Sequence, residues 1–215
     1  MTNHARAFEA LKWARSRSSQ YKSANKYFDE RTHPEKFKRR YMSSLYRGAI
    51  EQEAPKLGAS MDEIVAYAQK VIQVANGAAN CGELAALACA HLSENSAKRF
   101  DFVLLEQPGD HAFVVVGEPR PWSGVYPSSF GKWLSDAWIC DPWANLACKA
   151  VDYPVQWQDK MRKWQAAGKK LAKPGTEYAG QVHYVDPTDP YWYDGLTKHN
   201  KLSLTRWRWP RWSFW

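Results

Sequence analysis

No stretch of this chain is apolar and long enough to span a bilayer, and its N-terminus lacks the apolar core that a secretory signal needs. The expectation is a protein made for a cytosol, or exported by a route that cleaves no such signal. Cysteine is sparse. Four of them (Cys81, Cys89, Cys140, Cys148) in 215 residues do not make a disulfide scaffold. Their spacing does not match close-set zinc ligands, so no metal site is expected; no cofactor is expected either. Acidic residues are scarce at the start: residues 1–50 hold twelve Lys/Arg against four Asp/Glu, an excess equal to the whole net charge of +8. Residues 51–215 are therefore balanced. Apolar residues are not lacking. At 45% of the chain, with 14% aromatic, they supply a core for one domain with appendages, although a mean hydropathy of −0.61 implies a wet surface.

Periodicity predicts a short amphipathic helix over 4–19, on Phe8, Leu11 and Ala14 or Arg15. Residues 16–34 read as a polar linker. A second helix over 34–53 carries the stripe Phe37, Tyr41, Leu45, Ile50 through a basic surface. Ser60-Met61-Asp62-Glu63 is a capping box, and Ile64, Val65, Ala68, Val71, Ile72 and Ala75 line the buried side of the helix it starts. Asn76-Gly77 ends that helix with a left-handed residue. The next helix begins at Cys81, with Leu84, Leu87, Ala88 and Leu92 on its apolar face. Residues 100–106 and 111–117 form a hairpin about the turn 107–110, with His111, Phe113 and Val115 on one face. A long aromatic-rich loop over 118–135 leads to a third strand, Ala137 to Cys140, which Asp141-Pro142 stops. Beyond it, Val155, Trp157, Met161, Trp164 and Leu171 suggest a helix ending near Lys173-Pro174-Gly175. Residues 177–184 suggest a strand, and Tyr191-Trp192-Tyr193 a segment packed across the sheet. The Arg/Trp alternation of 206–212 fits an edge strand, a membrane interface or a base-stacking surface.

Cys81 sits in the first turn of its helix, where free N–H groups and the helix dipole favour a thiolate. If the second and third strands are antiparallel neighbours, His111 and Asp141 meet at one sheet edge. A cysteine beside an imidazole is a nucleophile for acyl carbon, and a carboxylate holds the ring's tautomer. The oxyanion would be met by the Cys81 N–H and an amide side chain, for which Gln73, Asn76 and Asn80 are candidates. Cys89, at the opposite end of the helix, reads as a buried apolar residue.

Asn80-Cys81-Gly82-Glu83, Asp110-His111-Ala112-Phe113-Val114 and Cys140-Asp141-Pro142-Trp143-Ala144 resemble the three blocks of papain-like bacterial toxin and effector domains. These include effector cysteine proteases and the glutamine deamidase domains of mitogenic toxins. The likeness covers roughly residues 60–150. It implies an α+β fold: a papain-like core in which the helix bearing the catalytic Cys packs on an antiparallel sheet, with extra N-terminal helices. In domain terms, a basic helical region over 1–59 precedes a catalytic domain over 60–215. It also implies a Cys-His-Asp thiol hydrolase, a secreted virulence effector that alters a protein substrate in a host cell. No glutamine stands ahead of Cys81 where plain papain-type enzymes keep their oxyanion donor. Proteolysis and side-chain deamidation both stay open, with transglutamination behind them. The competing expectation is a non-enzymatic module whose basic N-terminus or Arg/Trp tail holds an anionic membrane; nucleic acid is the less favoured partner.

Overall fold

The computed structural model describes residues 1–18, 26–28, 31–38, 50, 53, 59–75, 77–95, 97, 99–105, 111–118, 127, 129–173, 183–196 and 204–208, with only the backbone given for 27, 28 and 204–208. The first helix, α1 (Asn3–Arg17), starts where the Thr2 hydroxyl accepts from the Ala5 N–H. Its buried stripe is Ala7, Ala10, Leu11 and Ala14, while Phe8 is exposed. Small residues let α1 approach its neighbours closely, so the alanines rather than the expected Phe8 turn inward. A short strand, β1 (Lys26–Phe28), follows inside the stretch read as a linker. Residues 34–38 are helical; Tyr41 and Leu45 of the stripe expected there lie outside the described residues. The capping box before α2 (Met61–Val74) is made as read: Ser60 Oγ accepts from Glu63 N–H, and the Glu63 carboxylate accepts from Ser60 N–H at 2.6 Å. Gly77, at φ 87°, supplies the left-handed residue that turns the chain toward α3 (Cys81–Glu94).

Five antiparallel strands form the main sheet in the order β5-β4-β3-β2-β8. These are β2 (Phe100–Leu105), β3 (His111–Val116), β4 (Trp138–Asp141), β5 (Leu146–Lys149) and β8 (Leu204–Arg208). A smaller sheet joins β1 to β6 (Lys169–Ala172) and β7 (Tyr184–Val185) in the order β1-β6-β7. Between the sheets' strands run α4 (Tyr153–Ala166) and the single-turn α5 (Pro190–Tyr193). The fold is α+β, as expected.

Alternation along β3 splits the core into two layers. Ala112, Val114 and Val116 face α3 and α1, joining Leu87, Ala88 and Leu92 on one side and Ala7, Ala10 and Leu11 on the other. Phe113 and Val115 face the opposite way, into a layer rich in aromatics: Phe130, Trp133, Trp143, Tyr153, Trp157, Trp164 and Trp192. The α3 helix is buried almost all round, because its alanines fit between the sheet, α1 and α2. Cys81, at its N-terminal end, packs against both layers.

Three readings of the second half are corrected. The helix expected to run to 173 ends at Ala166. Gly168, with φ 68°, turns the chain left-handed, and Leu171 is buried on β6 rather than on a helix. Val155 is 62% exposed and not part of the inward stripe. The third strand is followed by a tight turn, with Asn145 at φ 58°, and a further strand, β5, that the pattern of small and polar residues concealed. Of residues 177–184 only the end is described, and it enters β7. The Arg/Trp segment is an edge strand over Leu204–Arg208, paired with β2; residues 209–215 lie outside the described set.

Candidate active site

Asn80 is the N-cap of α3, and Cys81 is its first helical residue. The Glu83 carboxylate reaches back to accept from the Asn80 N–H at 2.7 Å, which fixes the entry of the chain. Cys81 is therefore held where backbone N–H groups lack intrahelical acceptors. It is the one partly exposed thiol; Cys89, Cys140 and Cys148 are buried, and burial raises the pKa of each. Among the described residues, a Cβ added to Gly82 would meet no atom within 4 Å.

His111 opens β3 and Asp141 closes β4. The two strands pair antiparallel, with Val115 opposite Ile139. Continuing that register by two residues brings Asp141 level with Phe113, one same-face step from His111. The result is a buried contact: His111 Nε2 lies 3.0 Å from Asp141 Oδ2, with neither side chain more than 1% exposed. Asp141 is further held by the Tyr153 hydroxyl, donating to Oδ2 at 2.9 Å, and by the Ala144 N–H, donating to Oδ1 at 2.9 Å. A carboxylate that accepts from three donors stays ionised. Burial pushes the Asp141 pKa up, but His111, Ala144 and Tyr153 outweigh it, and the net shift is downward.

The imidazole responds in kind. Burial is the largest influence and lowers the His111 pKa; the Asp141 carboxylate and the Cys81 thiol together reverse it and lift it to about 10. Because Nε2 faces Asp141, Nδ1 is the nitrogen left for Cys81. Nδ1 has no partner in full hydrogen-bond geometry among the described residues, although the thiol is near enough to act on the ring. Phe113, Trp143 and Trp157 surround that ring, the last with its centroid 4.8 Å away. They exclude water from the pair, which strengthens its electrostatics.

The turn after Asp141 is gripped from the N-terminal region. Arg15 Nη1 of α1 donates to Pro142 O, and Lys26 Nζ of β1 donates to Trp143 O, each at 2.7 Å. The Lys26 ammonium also lies over the faces of Trp143 and Trp164, 4.1 and 4.2 Å from the ring centroids.

Of the sequence-derived candidates, Cys81, His111 and Asp141 come together. Asn80 directly precedes the thiol, Gln73 is exposed on α2, and Asn76 lies outside the described residues. Tyr153, Arg15 and Lys26 were not foreseen. Tyr153 is one of eleven tyrosines and carries no local motif, and the two cations were indistinguishable from a solvated basic face. Among the described residues no three His, Cys, Asp or Glu side chains gather as a metal site, and no helix is long and apolar enough to cross a membrane. Fold and site thus define an α+β protein with a buried imidazole–carboxylate pair beside a helix-N-terminal cysteine. In comparisons with known proteins, no family model, no curated protein and no solved structure matches the chain.

Proposed function

We propose that this protein is a papain-like thiol hydrolase of the effector or toxin type, acting on an amide of a protein substrate through an acyl-thioenzyme. The observation that carries the reading is the buried His111–Asp141 contact, whose remaining ring nitrogen is left to a cysteine in the first turn of α3. A raised imidazole pKa favours the imidazolium that forms when the ring holds the thiol's proton, leaving sulfur as the nucleophile. The sulfur then attacks the amide carbon, and the oxyanion is met by the Cys81 N–H and by Asn80, the amide nearest in sequence. His111 returns the proton to the leaving nitrogen. Water, deprotonated by the same ring, attacks the thioester and restores the thiol. A backbone amide yields two fragments, whereas a side-chain amide yields ammonia and an acid. Aspartate keeps the ring oriented and balances the imidazolium charge through both steps.

Candidate host proteins incubated with the wild type and with Cys81→Ala, followed by intact-mass measurement, test this. Fragments mark a protease and an amide-to-acid shift marks a deamidase. The Cys81→Ala protein is expected to lose at least ~10³-fold in rate; retention of full activity would end the proposal.

A further inference from the structure

Four cations from four separate elements gather about the turn that follows Asp141, and one of them, Lys26, acts on Cys81. Arg15 and Lys26 hold the adjacent carbonyls of Pro142 and Trp143. Lys26 and Lys169 of β6 both lie against the Trp164 ring, at 4.2 and 4.6 Å. Lys160, on α4, is within electrostatic reach of both Arg15 and Asp141, and Lys26 is within reach of Cys81 itself. Such a gathering of like charge is costly unless an anion neutralises it. Among the described residues Arg15, Lys26 and Lys160 form no ion pair with a carboxylate. Asp141, the acid they share, is already committed to His111, Tyr153 and Ala144.

We infer that Arg15, Lys26, Lys160 and Lys169 form an anion-binding rim beside Cys81, selecting substrates in which an anionic group flanks the amide that is attacked. The inference rests on the thiol-hydrolase reading and names the substrate class of that site. The rim is wet enough to be reached: Arg15 is exposed, and Lys160 and Lys169 are half-buried. It is also dry enough to matter. The Lys26 ammonium is enclosed by two indole faces, and a carbonyl takes only one of its three N–H groups. The protonation energetics agree. Arg15, Lys26 and Lys160 all have pKa values lowered first by burial; neighbouring cations lower those of Lys26 and Lys160 further, and Asp141 opposes the shift in all three. An anion entering the rim would relieve both penalties, so it would be bound in a site prepared for its charge.

The test needs no known substrate. Cys81 is the partly exposed thiol, so alkylation reports on its surroundings. Rates with anionic iodoacetate and neutral iodoacetamide are measured on the full chain and on N-acetylcysteine amide as a plain thiol, with the labelled cysteine located by mass spectrometry. The iodoacetate-to-iodoacetamide rate ratio is expected to exceed that of the reference by ~10-fold at low salt and to shrink as salt rises. It is expected to fall by at least ~3-fold in each of Lys160→Met and Lys169→Met, which substitute half-buried positions and spare the packed Lys26. Slower iodoacetamide labelling in glutarate marks the recognised anion as a carboxylate, and slower labelling in inorganic phosphate marks it as a phosphoryl group. A ratio equal to the reference overturns the inference. So does a raised ratio that neither variant lowers, since His111 alone would then supply the attraction, and so does protection by neither anion. If Cys81 reacts no faster than the reference with either reagent, the hydrolase reading itself fails; fast iodoacetamide labelling with a reference-like ratio sinks only the rim.

Discussion

Asp141 is the side chain on which the others converge. It accepts from a ring, a phenol and a main-chain N–H in a space with no solvent exposure. In the Asp141→Asn protein the imidazole keeps its burial and loses the carboxylate. Its pKa should therefore fall from about 10 toward and below the ordinary value, as followed by NMR of the ring protons. Under the proposed thiol-hydrolase function the rate should drop by ~10³–10⁴-fold, because the ring loses both its tautomer and its counter-charge. An unchanged His111 titration would mean that the pair does not govern the ring. The triad's chain order and residue types were legible from local motifs. The phenol of Tyr153 was not, since it is 12 residues from Asp141 in the chain and only the folded path through β5 into α4 brings it within 2.9 Å of the carboxylate.

Elements that place these side chains owe their ends to a few residues. Ser60→Ala breaks the capping box of α2 at an exposed site and should cost about 1 kcal/mol in denaturant unfolding, with the site chemistry unaltered. Gly117 is a different case. It ends β3 at φ 98°, and a Cβ there would meet the Asp136 carbonyl oxygen at 2.5 Å and Asn3 Nδ2 at 2.6 Å. Asn3 also donates to Asp136 O, so one contact ties α1 to the approach to β4. Gly117→Ala should therefore cost more than ~2 kcal/mol, from backbone strain and a main-chain clash together. Equal stability losses for the two variants would contradict this. Capping boxes and helix-ending glycines are short-range features, which is why α2 and the start of α3 were read well from the sequence. Strands β1 and β5 were missed because each is short and forms only when β6 or β4 lies beside it.

Across the whole molecule the buried ion pair sets a pH window for stability. The folded pKa of His111 is raised, so its contribution is complete below the unfolded value of about 6.5 and is lost as pH rises through about 10. The folded pKa of Asp141 is lowered, so its contribution is present above the unfolded value of about 3.8 and is lost as pH falls through the folded one. Urea midpoints measured from acid to alkali should show a plateau with a loss on each side. In Asp141→Asn the alkaline loss should disappear, since the ring then has no partner to lose. Parallel profiles for the two proteins would contradict the assignment.

The sequence by itself determined the order Cys81, His111, Asp141, the helix that starts at the thiol, and the hairpin that turns His111 and Phe113 to one face. All of these follow from period, caps and turns, which act over a few residues. Tertiary structure alone decided that α1 and β1 reach the turn after Asp141, that Tyr153 and three aromatic rings dry the imidazole, and that Lys26 lies within electrostatic reach of the thiol. Arg15 and Pro142 are 127 residues apart in the chain, and Lys26 and Trp143 are 117 apart. No local pattern encodes such pairs: a lysine in a basic segment reads the same whether it ends in water or between two indoles, and only the packed fold removes the water that made the two alike.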